Sequence, residues 1–188
     1  MIYSLEQFIG DCRAALFSDD GPVGRERVRQ SVEKVLGNEA FIAKYLGDDN
    51  TTERQILYED PDLGFCICAH VYSDPNQGKP HDHGSTWAIY GQAVGETEMT
   101  DWKIITAPND ETPGKVEMVK SYRMRPGDAH LYETGAVHAP MREGPTRLIR
   151  IEGQNTEKLK KNIWCACLRK LNDYQRRHYM LWKIHLYL

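Results

Sequence analysis

Three histidines are the residues of this sequence whose types and spacing could do chemistry. His81 and His83 flank Asp82 directly after a Gly/Pro-rich bend, and His138 follows much later in the chain. Because side chains on a strand repeat every second residue, His81 and His83 are expected to point to one face and to hold one ion together. The pair therefore predicts a metal site, with Asp82 facing away from the ion and making a structural hydrogen bond.

The elements that must position these histidines are short β-strands. Between residues 54 and 154 the sequence consists of β-rich runs separated by turns that contain Pro, Gly, Asp and Asn. Seven strands are expected, at Gln55–Tyr58, Phe65–Tyr72, Thr86–Tyr90, Glu96–Trp102, Val116–Met124, Ala129–Tyr132 and Arg147–Ile151. Since no long helical pattern intervenes, the runs predict an antiparallel β-sandwich or barrel.

Helices are expected on both sides of the strands. Apolar residues at helical spacing predict a first helix after the N-cap Ser4, a second that ends near Gly37, and a shorter one around Phe41–Leu46. Helical spacing returns after residue 155, with apolar positions at Leu159, Ile163, Ala166, Leu168 and Leu171. We expect one domain over 1–188, with a helical part at 1–50, a β-barrel at 51–155 and a C-terminal helical extension at 156–188.

Composition excludes several classes of partner. A formal net charge of −3 and the lack of a basic surface interleaved with aromatics argue against nucleic acid. The first ten residues do not have the pattern of a signal peptide, and no run approaches the roughly 20 apolar residues of a spanning helix. We therefore expect a cytoplasmic protein that has no membrane partner.

The cysteines and the C-terminal end add two further expectations. Five cysteines without export features argue against a disulfide framework, and buried thiols are favoured over a zinc site built from the two Cys-x-Cys pairs. The stretch 174–188 is rich in Tyr, Trp and Leu, so its apolar side is expected to pack on the barrel or on a second subunit of a homodimer.

The histidine motif resembles the two-part signature of the cupins. Its parts are the His81–His83 pair, then Pro126-Gly127-Asp128, and then the lone His138. Cupins are double-stranded β-helix (jelly-roll) barrels with a metal inside, so the resemblance implies a mainly β fold of the kind that the strand pattern predicts.

Within the cupins the chain resembles the cysteine dioxygenase-like thiol dioxygenases, over residues 54–154. Thr86-Trp87 stands where most cupins have a glutamate ligand, which leaves His81, His83 and His138 as a three-histidine set. Arg54 lies at a spacing similar to that of the family's arginine, which holds the substrate carboxylate. Ala88 stands where the animal enzymes have a crosslinking cysteine, as in bacterial members.

This resemblance implies a reaction and a set of site residues. The metal would be Fe(II), with Zn, Ni, Mn and Cu as alternatives, because three imidazoles alone do not select iron. The substrates would be O2 and a small carboxylate-bearing thiol of the cysteine or 3-mercaptopropionate class, and the product a sulfinate. Arg54 would anchor the carboxylate, with Tyr72 and Trp87 as candidate pocket residues whose alternative role is packing in the barrel wall.

One departure from the family concerns the strand after His138. Thiol dioxygenases have a Ser-x-His-x-Tyr relay there, and alignment on Pro145 leaves Arg150 and Glu152 at the relay's His and Tyr positions. Because they are two residues apart, Arg150 and Glu152 should share one face of the strand. We expect Arg150 to be a second anion anchor and Glu152 a base or hydrogen-bond partner; a surface ion pair is the alternative.

The missing relay keeps two other functions open. The first is a metal-dependent cupin oxygenase or isomerase that acts on a sulfur-free organic acid, with Arg54 and Arg150 holding a diacid. The second is a non-catalytic sensor cupin, which the intact histidine set disfavours because a sensor does not require a full set of ligands.

Overall fold

The computed structural model describes residues 3–160 and 162–166. Three helices precede the barrel: α1 (Leu5–Ser18), α2 (Pro22–Leu36) and α3 (Glu39–Leu46). Ser4 and Gln7 form a capping box at the start of α1, as the sequence predicts for the N-cap. The helical N-terminal part is confirmed.

The strands form two five-stranded sheets. In chain order they are β1 (Gln55–Glu59), β2 (Cys66–Tyr72), β3 (Asn76–Gln77), β4 (Ala88–Val94), β5 (Thr97–Thr106), β6 (Gly114–Met124), β7 (Ala129–Tyr132), β8 (Val137–Arg142), β9 (Thr146–Glu152) and β10 (Trp164–Ala166). The order is β1-β2-β9-β4-β7 in the first sheet and β10-β6-β5-β8-β3 in the second. Their pairings are antiparallel except that of β10 with β6. The predicted mainly β barrel is confirmed.

The first sheet has an apolar outer face that the helices cover. Ile149 and Ile151 of β9 belong to the same core as Phe8 of α1 and Val32 of α2. Helix α2 approaches β4 so closely that a Cβ at Gly91 would lie 2.4 Å from the Val32 Cγ1 atom. A glycine is therefore needed for helix and sheet to meet at this point.

The inner face of the same sheet has a different composition. Alternate residues of β2 and β9 point into the barrel, where polar, charged and aromatic side chains outnumber aliphatic ones. These inward residues are Cys66, Cys68, His70 and Tyr72 on β2 and Leu148, Arg150 and Glu152 on β9. The strand alternation thus separates an apolar core under the helices from a polar barrel interior.

Three parts of the chain differ from the sequence-based expectation. Neither β3 nor β8, which carries His138, was among the predicted strands. The C-terminal helical extension is wrong for the described residues, because 156–158 form a 3-10 turn and Trp164–Ala166 form a strand on the edge of the second sheet. The strand forms because Trp164 packs on Gly114, where a Cβ would lie 2.4 Å from the indole ring. The helical positions Leu168 and Leu171 and the stretch 174–188 lie outside the described residues.

Among the described residues, no helix is both long enough and apolar enough to cross a membrane.

Candidate metal centre

Backbone pairing brings two distant histidines together. His81 and His138 form an antiparallel bridge in which each backbone N–H donates to the other residue's carbonyl, at 2.9 and 3.0 Å. Directly opposed residues of such a pair project their side chains to the same face. His83, two residues along from His81, completes the group.

The three rings converge on one small space. The ring centroid of His138 lies 4.6 Å from that of His81 and 4.8 Å from that of His83. Each histidine also has one potential ligand atom within 4.8 Å of those of the other two. His138 is fully buried and His83 is 6% exposed. The structure therefore brings together the three histidines that the sequence selects.

Hydrogen bonds orient two of the rings. His81 Nδ1 donates to the Lys79 carbonyl at 2.9 Å, and His138 Nδ1 donates to the Ala136 carbonyl at 3.1 Å in the tautomer that satisfies both groups. A carbonyl partner on Nδ1 leaves the Nε2 lone pair for a metal. The Nε2 atom of His138 is buried and has no hydrogen-bond partner among the described residues. An orphaned imidazole nitrogen facing two other histidines fits a divalent metal.

Electrostatics keep His138 in its ligand form. Burial, with a smaller contribution from His81, lowers the pKa of His138 well below its usual value. A histidine with a lowered pKa is neutral at physiological pH, and only the neutral ring can donate its lone pair to a metal.

Tyrosines frame the histidines from the barrel wall. The Tyr132 ring stacks on His138 with centroids 3.9 Å apart, and the Tyr90 hydroxyl lies 3.1 Å from His83 Nε2. Tyr122 extends this frame, because its hydroxyl lies 2.7 Å from that of Tyr132 and donates to Asp101 at 3.0 Å. These contacts restrict the orientation of two rings of the cluster.

A cavity of about 290 Å³ opens beside the histidines. His81, His83 and Arg150 line it from the barrel, and Lys79 and Asp82 line it from the segment before β4. The chain after β9 supplies the remaining lining residues, which are Thr156, Leu159 and Asn162. The volume suits a small organic molecule, and Arg150 is a fixed positive charge next to two of the histidines.

Asp82 makes the structural hydrogen bonds expected of it. Its carboxylate accepts from the Gly84 backbone N–H at 3.2 Å and from the Asn162 amide at 2.7 Å. The second bond ties the histidine segment to the chain after β9, on the far side of the cavity.

Arg150 and Glu152 share the inner face of β9 and contact each other. Arg150 Nε lies 3.2 Å from Glu152 Oε1, and the Arg150 guanidinium lies 4.9 Å from the Tyr90 ring centroid. Glu152 is fully buried, and its second oxygen accepts from Arg54 at 2.9 Å and from the Thr156 backbone N–H at 2.9 Å. Burial alone would raise the pKa of Glu152, but Arg150, the Thr156 N–H and Arg54 outweigh it and lower that pKa. Glu152 is thus an ionised carboxylate between two guanidiniums.

Arg54 has a different environment from the one its predicted role requires. Its guanidinium binds Glu152 at 2.9 Å, Asn155 at 3.1 Å and Glu157 at 3.0 Å, and it is not among the residues that line the cavity. These three partners bind its two terminal nitrogens, so Arg54 reaches the cavity only through Glu152.

The two predicted pocket aromatics lie on opposite faces of the first sheet. Tyr72 is inside the barrel, where its hydroxyl lies 3.0 Å from His70 Nδ1. Trp87 belongs to the core under the helices, with the Arg25 guanidinium 5.8 Å from its ring. Trp87 as a pocket residue is not supported, because it lies directly before β4, packs in the core under the helices and does not line the cavity.

A second group of potential ligands is less suited to a metal. Ligand atoms of Cys68, His70 and Glu152 lie within 4.8 Å of one another. Burial raises the pKa of the Cys68 thiol to about 12, so it is protonated, and Glu152 is already bound to two arginines. A cation at this place would face both guanidiniums, so we assign the group to the barrel's hydrogen-bonded interior.

Sequence reasoning missed one charged residue of the interior. Arg142 lies on β8 four residues after His138, so both side chains are on the same face of that strand. It is 5% exposed, with its guanidinium 4.1 Å from the Tyr72 ring centroid. The signal was present in the sequence as His138-x-x-x-Arg142, but it can be read only once the segment is recognised as a strand.

The two curled sheets and the three-histidine cluster define a β-barrel of the cupin kind with a candidate metal site. No family model and no curated protein sequence matches the chain. Solved structures that resemble it include KdgF from a Halomonas species, with 18% identity, a TM-score of 0.42, and coverage of 56% of this chain and 83% of that one.

Two other solved structures have similar values. A cupin superfamily protein of Desulfitobacterium hafniense is 14% identical, with a TM-score of 0.40 over 54% of this chain and 76% of that one. An uncharacterised Klebsiella pneumoniae protein with a double-stranded β-helix domain is 12% identical, with a TM-score of 0.43 over 65% of this chain and 88% of that one. The fold assignment rests on the strand topology itself, and these likenesses carry no information about a reaction.

Proposed function

We propose that this protein is a non-haem iron dioxygenase that oxidises the thiol of a small carboxylate-bearing thiol to a sulfinate. The observation that carries the proposal is the cavity in which two of the three clustered histidines stand beside the Arg150 guanidinium. A metal-binding group and a fixed positive charge in one small space suit a substrate that has a metal-binding atom at one end and an anion at the other.

His81, His83 and His138 would hold the metal. Three neutral imidazoles leave the full charge of a divalent ion for exogenous ligands, which favours an anionic substrate such as a thiolate. Ferrous iron, when bound, would supply a centre at which the thiolate and dioxygen meet. The reaction balances without a reductant, because a thiol and one O2 give a sulfinic acid that retains both oxygen atoms while sulfur loses four electrons.

Arg150 would bind the substrate carboxylate. Its side chain is 13% exposed, it lines the cavity, and Tyr90 and Glu152 restrict its position. A guanidinium in such a site can bind a carboxylate with two hydrogen bonds and so fix the orientation of the thiol end. This geometry favours Arg150 over Arg54 as the carboxylate anchor, with Arg54 acting on it through Glu152.

Tyr90 would partly replace the missing relay. Its hydroxyl lies 3.1 Å from His83 Nε2, and its ring lies under the Arg150 guanidinium. Burial raises the pKa of Tyr90, although Arg150 and Arg142 act in the opposite direction, so the phenol stays protonated. In the tautomer that lets Nδ1 of His83 bind the metal, Nε2–H donates to the Tyr90 oxygen. Tyr90 thereby links a metal-binding histidine to the anion anchor.

The test of this proposal is thiol-dependent oxygen uptake by the iron-loaded protein. We expect uptake with 3-mercaptopropionate or cysteine, formation of the sulfinate, and no uptake with propionate. Uptake with the sulfur-free acid and none with the thiols would overturn the proposal.

One variant assayed with a matched pair of substrates tests the anchor. Arg150→Gln should raise KM for 3-mercaptopropionate by about tenfold or more, because a charge-assisted contact is lost. It should leave the KM for cysteamine, which has no carboxylate, nearly unchanged. An equal loss with both thiols would assign Arg150 a structural role instead. The second candidate, a cupin oxygenase or isomerase for a sulfur-free diacid, is favoured only by the missing relay.

A further inference from the structure

The chain that follows β9 forms one wall of the cavity beside the histidines. The structure describes this segment over residues 153–160 and 162–163, and it contributes Thr156, Leu159 and Asn162 to the lining. The side chain of Asn162 also contacts the part of the chain that carries His81 and His83, because its amide donates to the Asp82 carboxylate at 2.7 Å. One residue of the cavity wall thus holds the residue that lies between two histidines of the cluster.

Asp82 requires such a partner because its carboxylate is buried. It is 6% exposed, and among the described residues its carboxylate accepts from the Gly84 backbone N–H at 3.2 Å and from Asn162. A buried carboxylate costs free energy unless hydrogen bonds replace its hydration. The bond from Asn162 is the shorter of the two, so Asn162 supplies a large share of that replacement.

Backbone hydrogen bonds hold the two ends of the histidine pair unequally. His81 is fixed by both bonds of its bridge to His138, at 2.9 and 3.0 Å. His83 lies beyond this bridge, and its carbonyl accepts from the Thr86 N–H at 3.4 Å, which is long for such a bond. The contacts of the Asp82 side chain therefore hold the backbone between the two rings.

A glycine after the histidines lets the segment that follows β9 come this close. Gly84 has a φ of 66°, and a Cβ there would lie 2.8 Å from the Lys160 carbonyl oxygen. A larger residue would push the segment away from Asp82, since backbone rather than a flexible side chain is in the way. The close approach at Gly84 is what allows Asn162 to reach the Asp82 carboxylate.

We propose that Asn162 is a positioning residue of the metal centre. By holding Asp82 it fixes the backbone between His81 and His83, and with it the angle at which their rings present a nitrogen to the metal. Residues that orient a ligand without touching the metal commonly contribute about tenfold or more to metal affinity. The inference rests on the proposed function in one respect, since it requires a divalent metal at the three histidines, whatever reaction that metal supports.

Titration of the metal-free protein with Co²⁺ tests the proposal independently of catalysis. The visible absorption of bound cobalt reports both its affinity and its coordination geometry. Asn162→Ala should weaken cobalt binding by about tenfold or more and change the absorption spectrum. Urea unfolding of each metal-free variant shows that the titration is made on folded protein. Cobalt binding by Asn162→Ala with the wild-type affinity and spectrum would overturn the proposal.

The control is Lys160→Gln, which removes a different attachment of the same segment. Lys160 forms an exposed ion pair with Asp110 at 3.2 Å. The variant should bind cobalt as the wild type does, because this ion pair does not involve Asp82. Equal losses in Lys160→Gln and Asn162→Ala would overturn the proposal, since the effect would then come from attachment of the segment as a whole.

A double-mutant cycle tests whether Asn162 acts through Asp82. Asp82→Ala alone should weaken cobalt binding, and Asn162→Ala should add little to that loss. Fully additive losses would also overturn the proposal. Cobalt binding that depends on Asn162, combined with no oxygen uptake on any thiol by the iron-loaded protein, would leave this inference standing and overturn the proposed dioxygenase.

Discussion

The two faces of β9 show how one strand serves two different regions. Ile149 and Ile151 face the helices and join an aliphatic core, while Arg150 and Glu152 face the barrel interior and join a network of charges. The core under the helices stabilises the protein through burial of apolar surface. The barrel interior contains buried charged groups, whose desolvation costs free energy that apolar side chains in the same place would not cost. The difference indicates that the helix side holds the fold and the barrel side holds the site.

The largest effect should follow from removing a histidine of the cluster. His138→Gln should lower the bound metal to near zero and the activity by more than about a hundredfold, because a ligand with an available Nε2 is lost. Metal analysis and oxygen uptake measure both. His130→Gln, a change on β7 outside the cluster, is the control. The metal-free wild type should keep its cooperative unfolding transition, and an unfolded metal-free protein would contradict the division between fold and site.

Truncation of a side chain in the core under the helices should lower the stability of the protein and leave its metal binding unchanged. Phe8 is fully buried and meets Phe41 edge-on, with centroids 6.1 Å apart. Phe8→Ala should destabilise the protein by about 3 to 5 kcal/mol through loss of burial and a residual cavity. Urea unfolding measures this loss. The metal content per folded molecule should not change, and loss of metal in the folded variant would show that the two regions are not separate.

Glu152 tests the interior network. Glu152→Gln should cost about 3 kcal/mol at neutral pH, because Arg54 and Arg150 then lose their shared carboxylate. The control is Glu157→Gln, which removes the exposed partner of the same Arg54 and should cost less than about 1 kcal/mol.

The same pair of proteins gives a pH dependence. The folded-state pKa of Glu152 is below its usual value of 4.5, so its contribution is fully present above that pH. It is lost as the pH falls through the lowered pKa, because the unfolded chain binds the proton first. Urea midpoints at descending pH should therefore converge for wild type and Glu152→Gln. A constant difference down to about pH 2 would contradict the ionised carboxylate.

The smallest expected effect concerns His70. Burial, together with Arg150, Arg54 and Arg142, lowers its pKa well below 6.5, so the folded protein keeps it neutral. Below pH 6.5 the unfolded chain takes up a proton that the folded chain does not, and stability falls by up to about 1.4 kcal/mol per pH unit. His70→Gln should therefore lose less stability than the wild type when thermal unfolding is followed from about pH 8 to about pH 5. Identical profiles would mean that His70 is protonated in the fold.

The sequence predicts the elements whose patterns are local. The N-cap at Ser4 and the β-rich runs of β2 and β9 are signals within a few residues, and the structure has both. β8 and β10 were not predicted because the interactions that form them are not local. Val137–Arg142 becomes a strand by pairing with β5, and Trp164–Ala166 becomes one by packing on Gly114.

The candidate site shows the same limit. The spacing of His81 and His83 is enough to place them on one face, and the motif with His138 is enough to bring that residue in. Contacts across the barrel cannot be read in this way, which is why Arg54 was expected to face the cavity and Arg142 was not considered. Trp87 was expected in the pocket, whereas it lies directly before β4 and packs in the core under the helices.

The measurement that tests the central claim most directly is the fate of isotopically labelled dioxygen in a reaction of the iron-loaded protein with 3-mercaptopropionate and cysteine. The account predicts a sulfinate product whose two new oxygen atoms both carry the label, with one O2 consumed for each thiol. Label on carbon, unlabelled sulfinate, or no consumption of either thiol would contradict it.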